Sequence, residues 1–216
     1  AWLNCLMTGM KRSGSAGHAV WLFLHRRIKM TDIIPFPDKK YNIIYADPPY
    51  HFPNKKYQGG NRDFGNIVSD RYETLSDKQL CTLPVENITK PDCILFLWVT
   101  DSHLERSFSI INAWGFRFAT IGFTWVKKYK SGSYCYNFGH YTLKSTEICL
   151  IGMKGKLKNI KNGNNVKGLV FAERTEHSKK PDCIRNKIIE LCGDKPRIEL
   201  FARQKIDGWD AWGNEV

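Results

Sequence analysis

Apolar and polar positions alternate along the chain with two different periods. Asn42–Ala46 is a short run rich in Ile and Tyr, which suits a buried strand. Asp92-Cys-Ile-Leu-Phe-Leu-Trp-Val99 is continuously apolar, the signature of a strand covered on both faces. Phe116 to Lys127, Thr146 to Met153, Leu169 to Ala172 and Arg197 to Phe201 predict four more strands. Helical spacing lies between them. Leu104, Phe108 and Ile111 recur within His103 to Trp114, which Gly115 closes. Ile184, Ile188 and Leu191 mark a helix opening at Pro181 and ending at Gly193. Ser76-Asp-Lys-Gln79 has the form of a capping box before a short helix towards Leu83. Strand, helix, strand over residues 92–127 is a βαβ unit, so an α/β fold with a parallel sheet is expected.

Three polar stretches interrupt this pattern. His51 to Arg71 has no periodicity, and it follows a strand directly, so it is placed over a substrate. Lys127 to Tyr141 interleaves Lys127, Lys128 and Lys130 with tyrosines and glycines, a composition suited to single-stranded nucleic acid or a flipped base. Lys154 to Gly168 carries five lysines and reads as a solvated basic loop. Gly208 to Val216 reads as a Gly/Trp-rich tail.

Length and charge narrow the class. The 216 residues suit one domain with a substantial core. The net charge of +12 favours a polyanionic partner. Residues 1–29 hold Lys11, Arg12, Arg26, Arg27 and Lys29, no acidic residue and no initial Met, and are read as a non-native or upstream extension outside the fold. Removing those five charges leaves +7 on residues 30–216, read as a single catalytic domain. Seven scattered cysteines without a Cys-x-x-Cys pair suggest reduced thiols in a cytoplasmic protein, with no metal site. No apolar run reaches membrane-spanning length, so no membrane partner is expected.

The strongest chemical signal is Asp47-Pro48-Pro49-Tyr50, directly after the strand at Asn42–Ala46. Two prolines end a strand sharply, and the carboxyl ends of strands are where open α/β sheets bind ligands. An exocyclic nucleobase amine is a weak nucleophile because its lone pair is delocalised. A carboxylate (Asp47) and a carbonyl from the Pro-Pro turn would accept its two N–H bonds and favour tetrahedral geometry, while Tyr50 would stack on the base.

The tetrapeptide resembles motif IV of amino-methyltransferases. In order along the chain follow Leu95-Phe-Leu-Trp-Val-Thr100, Trp114-Gly-Phe116 through Trp125-Val-Lys127, Glu147 to Gly152, His177-Ser-Lys-Lys-Pro181 and Arg197-Ile-Glu-Leu-Phe-Ala-Arg203. Together they are similar to the adenine methyltransferase family that includes the catalytic subunit of the eukaryotic mRNA methyladenosine writer, over about residues 41–216. The resemblance implies a Rossmann-like class I methyltransferase fold: a mixed, mostly parallel sheet flanked by helices, in the permuted beta-type order. It also implies S-adenosylmethionine as methyl donor, with Lys180, Arg203 and Asn214 beside Asp47 in the donor site. Lys180 would meet the donor carboxylate. The sequence departs from the family at Tyr50, often Trp, and at Lys205 and Glu215, often His and Gln. No Gly-x-Gly loop follows Phe201. The expected activity is adenine-N6 methylation of DNA, in a bacterial or phage-infected cell. DNA is favoured over RNA because there is no RNA-binding accessory domain. RNA methylation, a noncatalytic nucleic-acid-binding subunit and protein-glutamine methylation are the alternatives, and a homo- or heterodimer is left open.

Overall fold

The computed structural model describes residues 34–51, 74–139, 141–175 and 179–216. Residues 1–29, most of the stretch from His51 to Arg71, and His177 with Ser178 therefore lie outside the described residues. Seven strands form one sheet: β1 (Tyr41–Ala46), β2 (Thr89–Val99), β3 (Arg117–Lys128), β4 (Thr146–Lys154), β5 (Leu169–Glu173), β6 (Arg197–Leu200) and β7 (Asp210–Trp212). Their spatial order is β5-β3-β4-β2-β1-β6-β7. β4 is antiparallel to both neighbours, and every other pairing is parallel. The helices are α1 (Asp77–Thr82), α2 (Leu104–Ala113) and α3 (Cys183–Cys192).

Period-two alternation explains how this sheet is covered. On β1, Ile44 and Ala46 enter one core, while Ile43 and Tyr45 enter the other. On β2, Leu95 and Leu97 face the first core, while Ile94, Phe96 and Trp98 face the second. Ile110 and Ile111 of α2 and Leu80 of α1 close the first core; Ile184, Ile188 and Cys192 of α3 close the second. Burying each large aliphatic side chain contributes about 1.5–3 kcal/mol, so a strand apolar on both faces is held from both sides. The mixed, mostly parallel Rossmann-like sheet has the permuted order: β6, from the carboxyl end of the chain, lies beside β1.

Two details differ from the pattern-based reading. β2 and β3 point the same way around α2, but β4 is threaded between them and pairs with both. The tail also contains β7, only three residues long and so too short to display a period. Trp212 nonetheless buries its ring, which lies tilted at 31° against Phe36 with the centroids 4.4 Å apart. The capping box forms as read: Ser76 Oγ accepts from the Gln79 N–H at 3.3 Å, and Gln79 Oε1 accepts from the Ser76 N–H at 3.0 Å.

Arg185 pins α3 to β6. Its Nε and Nη2 donate to the two Glu199 oxygens at 2.7 and 2.8 Å, a bidentate fork in a largely buried setting. The same cation lies 5.9 Å from the Tyr45 ring centroid. No helix among the described residues is long and apolar enough to cross a membrane.

Candidate active site

β1 runs between β2 and β6, parallel to both, so its carboxyl end opens in the interior of the sheet. Pro48 and Pro49 lack N–H groups and cannot extend the ladder. The turn is tied down otherwise. The Tyr50 N–H donates to the Pro48 carbonyl at 2.9 Å, the Leu75 N–H to the Pro49 carbonyl at 2.8 Å, and the His51 N–H to the Leu75 carbonyl at 3.1 Å. Residues on either side of the 52–73 stretch are therefore hydrogen-bonded to each other beside Asp47.

Tyr50 corrects the expectation of an open stacking platform. Its ring is 4% exposed, its hydroxyl donates to the Trp98 carbonyl at 3.0 Å, and His103 stacks on it at 4.6 Å. The ring belongs to the core because it fills the space beneath the turn. His103 was not singled out from the sequence, where it read as the first residue of a helix. It lies 3.1 Å through Nε2 from the His51 carbonyl and 2.9 Å through Nδ1 from Thr100 Oγ1. A carbonyl only accepts, so Nε2 carries the proton. Burial lowers the pKa of this imidazole and keeps it neutral.

The tetrapeptide's carboxylate is the outer end of a chain of charges. Asp47 Oδ2 lies 2.7 Å from Lys180 Nζ, and Lys180 Nζ lies 3.2 Å from Glu147 Oε2. The other Glu147 oxygen, Oε1, accepts from Lys127 Nζ. Burial alone would raise the Glu147 carboxyl, but Lys180 and Lys127 pull it below its ordinary range. Burial alone would lower Lys180, but Asp47 and Glu147 together raise it. Burial pushes Asp47 up against the opposing pull of Lys180, so the two carboxylates on that ammonium shift in opposite directions.

Lys127 is thus an internal cation, not a surface contact for phosphate as its composition suggested: only 8% of the residue is exposed. It sits in β3, where alternation turns it inward beside Trp125. Glu147 was missed as a site residue. Its only sequence signal is a carboxylate heading an otherwise apolar strand, which is common at strand ends. Because β4 is antiparallel, its first residues lie at the same edge as the last residues of β1 and β3.

Lys130 is exposed. Lys128 lies with its ammonium 5.6 and 5.0 Å from the Tyr134 and Phe171 ring centroids. Tyr134, Tyr136, Phe138 and Tyr141 are exposed on the loop that follows. At the end of β6, Phe201 adopts a left-handed φ of 61°, which turns the chain abruptly. Arg203 follows, with Nε 4.0 Å from Glu215 Oε1, and Asn214 is exposed after β7. A Cβ on Gly213 would lie 2.4 Å from the Ala202 carbonyl oxygen, so only glycine lets the two strand ends approach this closely.

Sheet order, permutation and an Asp-Pro-Pro-Tyr turn at the end of an interior strand define the class as a Rossmann-like amino-methyltransferase fold. The chain belongs to the MT-A70 family, whose model matches residues 41–215. It is 37% identical over 199 residues to the type II methyltransferase M.MunI of a Mycoplasma species, covering 87% of this chain and 83% of that protein. It is 27% identical to the human N(6)-adenine-specific methyltransferase METTL4, covering 82% of this chain and 38% of that protein. It is 28% identical to the human N(6)-adenosine-methyltransferase catalytic subunit METTL3, again over 82% of this chain but 28% of that protein. The chain therefore spans most of the Mycoplasma relative but well under half of each human one.

Proposed function

We propose that this chain is an S-adenosylmethionine-dependent methyltransferase acting on the N6 amine of adenine in DNA. The observation that carries the reading is the Asp47 carboxylate, held through Oδ2 by Lys180 at the carboxyl end of β1 and next to the Pro48 carbonyl. Asp47 Oδ1 and the Pro48 carbonyl are the two acceptors for the amine. Accepting both N–H bonds localises the nitrogen lone pair and aims it, a contribution made mainly in the transition state. As the nitrogen becomes cationic, Asp47 stabilises it and receives its proton.

The donor, when bound, supplies a methyl group already activated on a sulfonium. The chain's residues fit that molecule by charge and position. Arg203 would meet its carboxylate, and Asn214, brought in by Gly213, would meet its ribose hydroxyls. Lys180 is assigned to Asp47 rather than to the donor carboxylate. Lys128 and Lys130 would follow phosphates, and the exposed rings of residues 134–141 would meet bases that are unpaired or flipped.

A labelled-methyl transfer assay on DNA and on RNA, with nucleoside analysis, tests the reading. The expected product is N6-methyladenine in DNA, and Asp47→Asn should be at least about a hundredfold slower. Label appearing only in RNA would move the substrate. Absence of label with both, from protein that binds the donor in calorimetry, would overturn the reading.

A further inference from the structure

The charge chain reaches further inward than recognition of an amine requires. Asp47 and Lys180 alone would fix the acceptor, yet Lys180 is shared with Glu147, and Glu147 gives its second oxygen to Lys127. The four side chains come from three strand ends and the segment before α3, and exposure is greatest at Asp47: 10% for Lys127, 18% for Glu147, 11% for Lys180 and 29% for Asp47. Two ammonium and two carboxylate groups sum to zero. An apolar cluster of similar volume would hold these strands together equally well, so stability alone does not call for such a row.

We propose that Glu147 and Lys127 are positioning residues, forming an internal relay that acts through Lys180 to set how firmly Asp47 is held and how available its carboxylate is to the substrate amine. This rests on the assignment of Asp47 as the amine acceptor. Glu147 competes with Asp47 for one ammonium. Lys127 moderates that competition by occupying the other Glu147 oxygen. Removing Glu147 removes that competitor and tightens the hold of Lys180 on Asp47. Removing Lys127 turns Glu147 wholly towards Lys180 and draws the ammonium away from Asp47.

Among the described residues few other charges lie close enough to mask this. Asp47 faces Tyr45 and Tyr50 from its own strand and turn, Cys149 and Glu147 from β4, Lys180, and Arg203 from beyond β6. Burial pushes both phenols and the Cys149 thiol up, so all three are neutral at neutral pH. Lys127 faces Glu147, the Trp125 ring and the Cys135 thiol.

The test follows the carboxyl carbon of Asp47 by 13C NMR titration of the protein without ligands, with the signal assigned through Asp47→Asn. Glu147→Gln should lower the Asp47 midpoint by about one pH unit, and Lys127→Met should raise it by a similar amount. Lys127→Arg should stay near wild type, and Lys127→Gln replaces the Met variant should that one not fold. In turnover, Glu147→Gln and Lys127→Met should each lower kcat by about tenfold with donor KM unchanged, and Lys127→Arg should restore it. Midpoints that stay put or move the same way would overturn the relay. The titration needs no turnover. Opposite shifts in a protein that methylates nothing would uphold the relay and fail the proposed reaction instead.

Discussion

Lys180 Nζ stands 2.7 Å from Asp47 Oδ2 although 133 positions separate the two residues in the chain. The permuted order makes this contact: the segment before α3 arrives at the edge where β1 ends, and the Arg185–Glu199 fork anchors the helix behind it. The lysine that the resemblance gives to the donor carboxylate is ion-paired with Asp47.

That exchange changes what Lys180→Ala should do. Loss of the ammonium leaves Asp47 and Glu147 facing each other in a largely buried site, and breaking such a pair costs about 3–5 kcal/mol. The variant should unfold at lower temperature and lose kcat by roughly two orders of magnitude, the low end of what a positioned acid–base group contributes. Arg203→Ala should chiefly raise the KM for the donor. Steady-state kinetics on both variants decides the matter. An unchanged kcat with a raised donor KM in Lys180→Ala would return that residue to the donor half.

Tyr50 is expected to act first on stability. Tyr50→Phe removes the bond to the Trp98 carbonyl and leaves a buried acceptor unpaired, at a cost of about 1–3 kcal/mol. Tyr50→Ala also opens a cavity against His103, and aromatic truncations of this kind cost about 3–5 kcal/mol. Melting temperature and activity should be measured on the same samples. If Tyr50→Phe melts like wild type but loses most of its turnover, the hydroxyl serves the reaction and not the core.

The contrast between Tyr50 and Asp47 shows what was legible in the sequence. Strands announced themselves where both faces are buried, as in β2, because every position then had to be apolar. The place of Asp47 at the end of β1 was legible because two prolines after a strand fix a turn by local sterics alone. Tyr50 was misread because burial depends on what packs above it, here His103 from a segment more than fifty positions away. Lys127 and Glu147 were obscured for a related reason. Their partners lie on neighbouring strands, and the threading of β4 between β2 and β3 that brings them together leaves no local trace. β7 escaped because three residues cannot show a period.

Acid should expose the inner carboxylate. Glu147 is held below its ordinary value of 4.5, so it contributes stability above its unfolded pKa that is lost as pH falls through its folded pKa. Asp47 works in the opposite sense: its raised pKa makes ionisation a cost that protonation relieves. Melting temperature should therefore fall steeply only below the ordinary glutamate range, and Glu147→Gln should flatten that acid limb while lowering stability at neutral pH. A variant with the same acid slope as wild type would show that Glu147 does not carry this linkage.

The lysines at the end of β3 should separate by salt dependence. Lys127, Lys128 and Lys130 are close in sequence and look alike there, but the structure gives them different surroundings. Lys127 is inside, on Glu147; Lys128 lies against the Tyr134 and Phe171 rings; Lys130 is exposed. A lysine that neutralises a phosphate releases about one counterion, so removing it lowers the slope of log affinity against log salt by roughly one. Lys130→Ala should do so, with affinity falling about equally for all sequences. Lys128→Ala should lower the slope less, because its stem and charge are partly engaged by the rings. Lys127→Met should leave the slope as it is, since its charge is compensated internally and buried from the solvent side. Binding of a single-stranded oligonucleotide by fluorescence anisotropy at several salt concentrations measures all three. Equal slopes lost at all three positions would mean that Lys127 reaches the backbone after all, which requires it to leave Glu147 when nucleic acid binds.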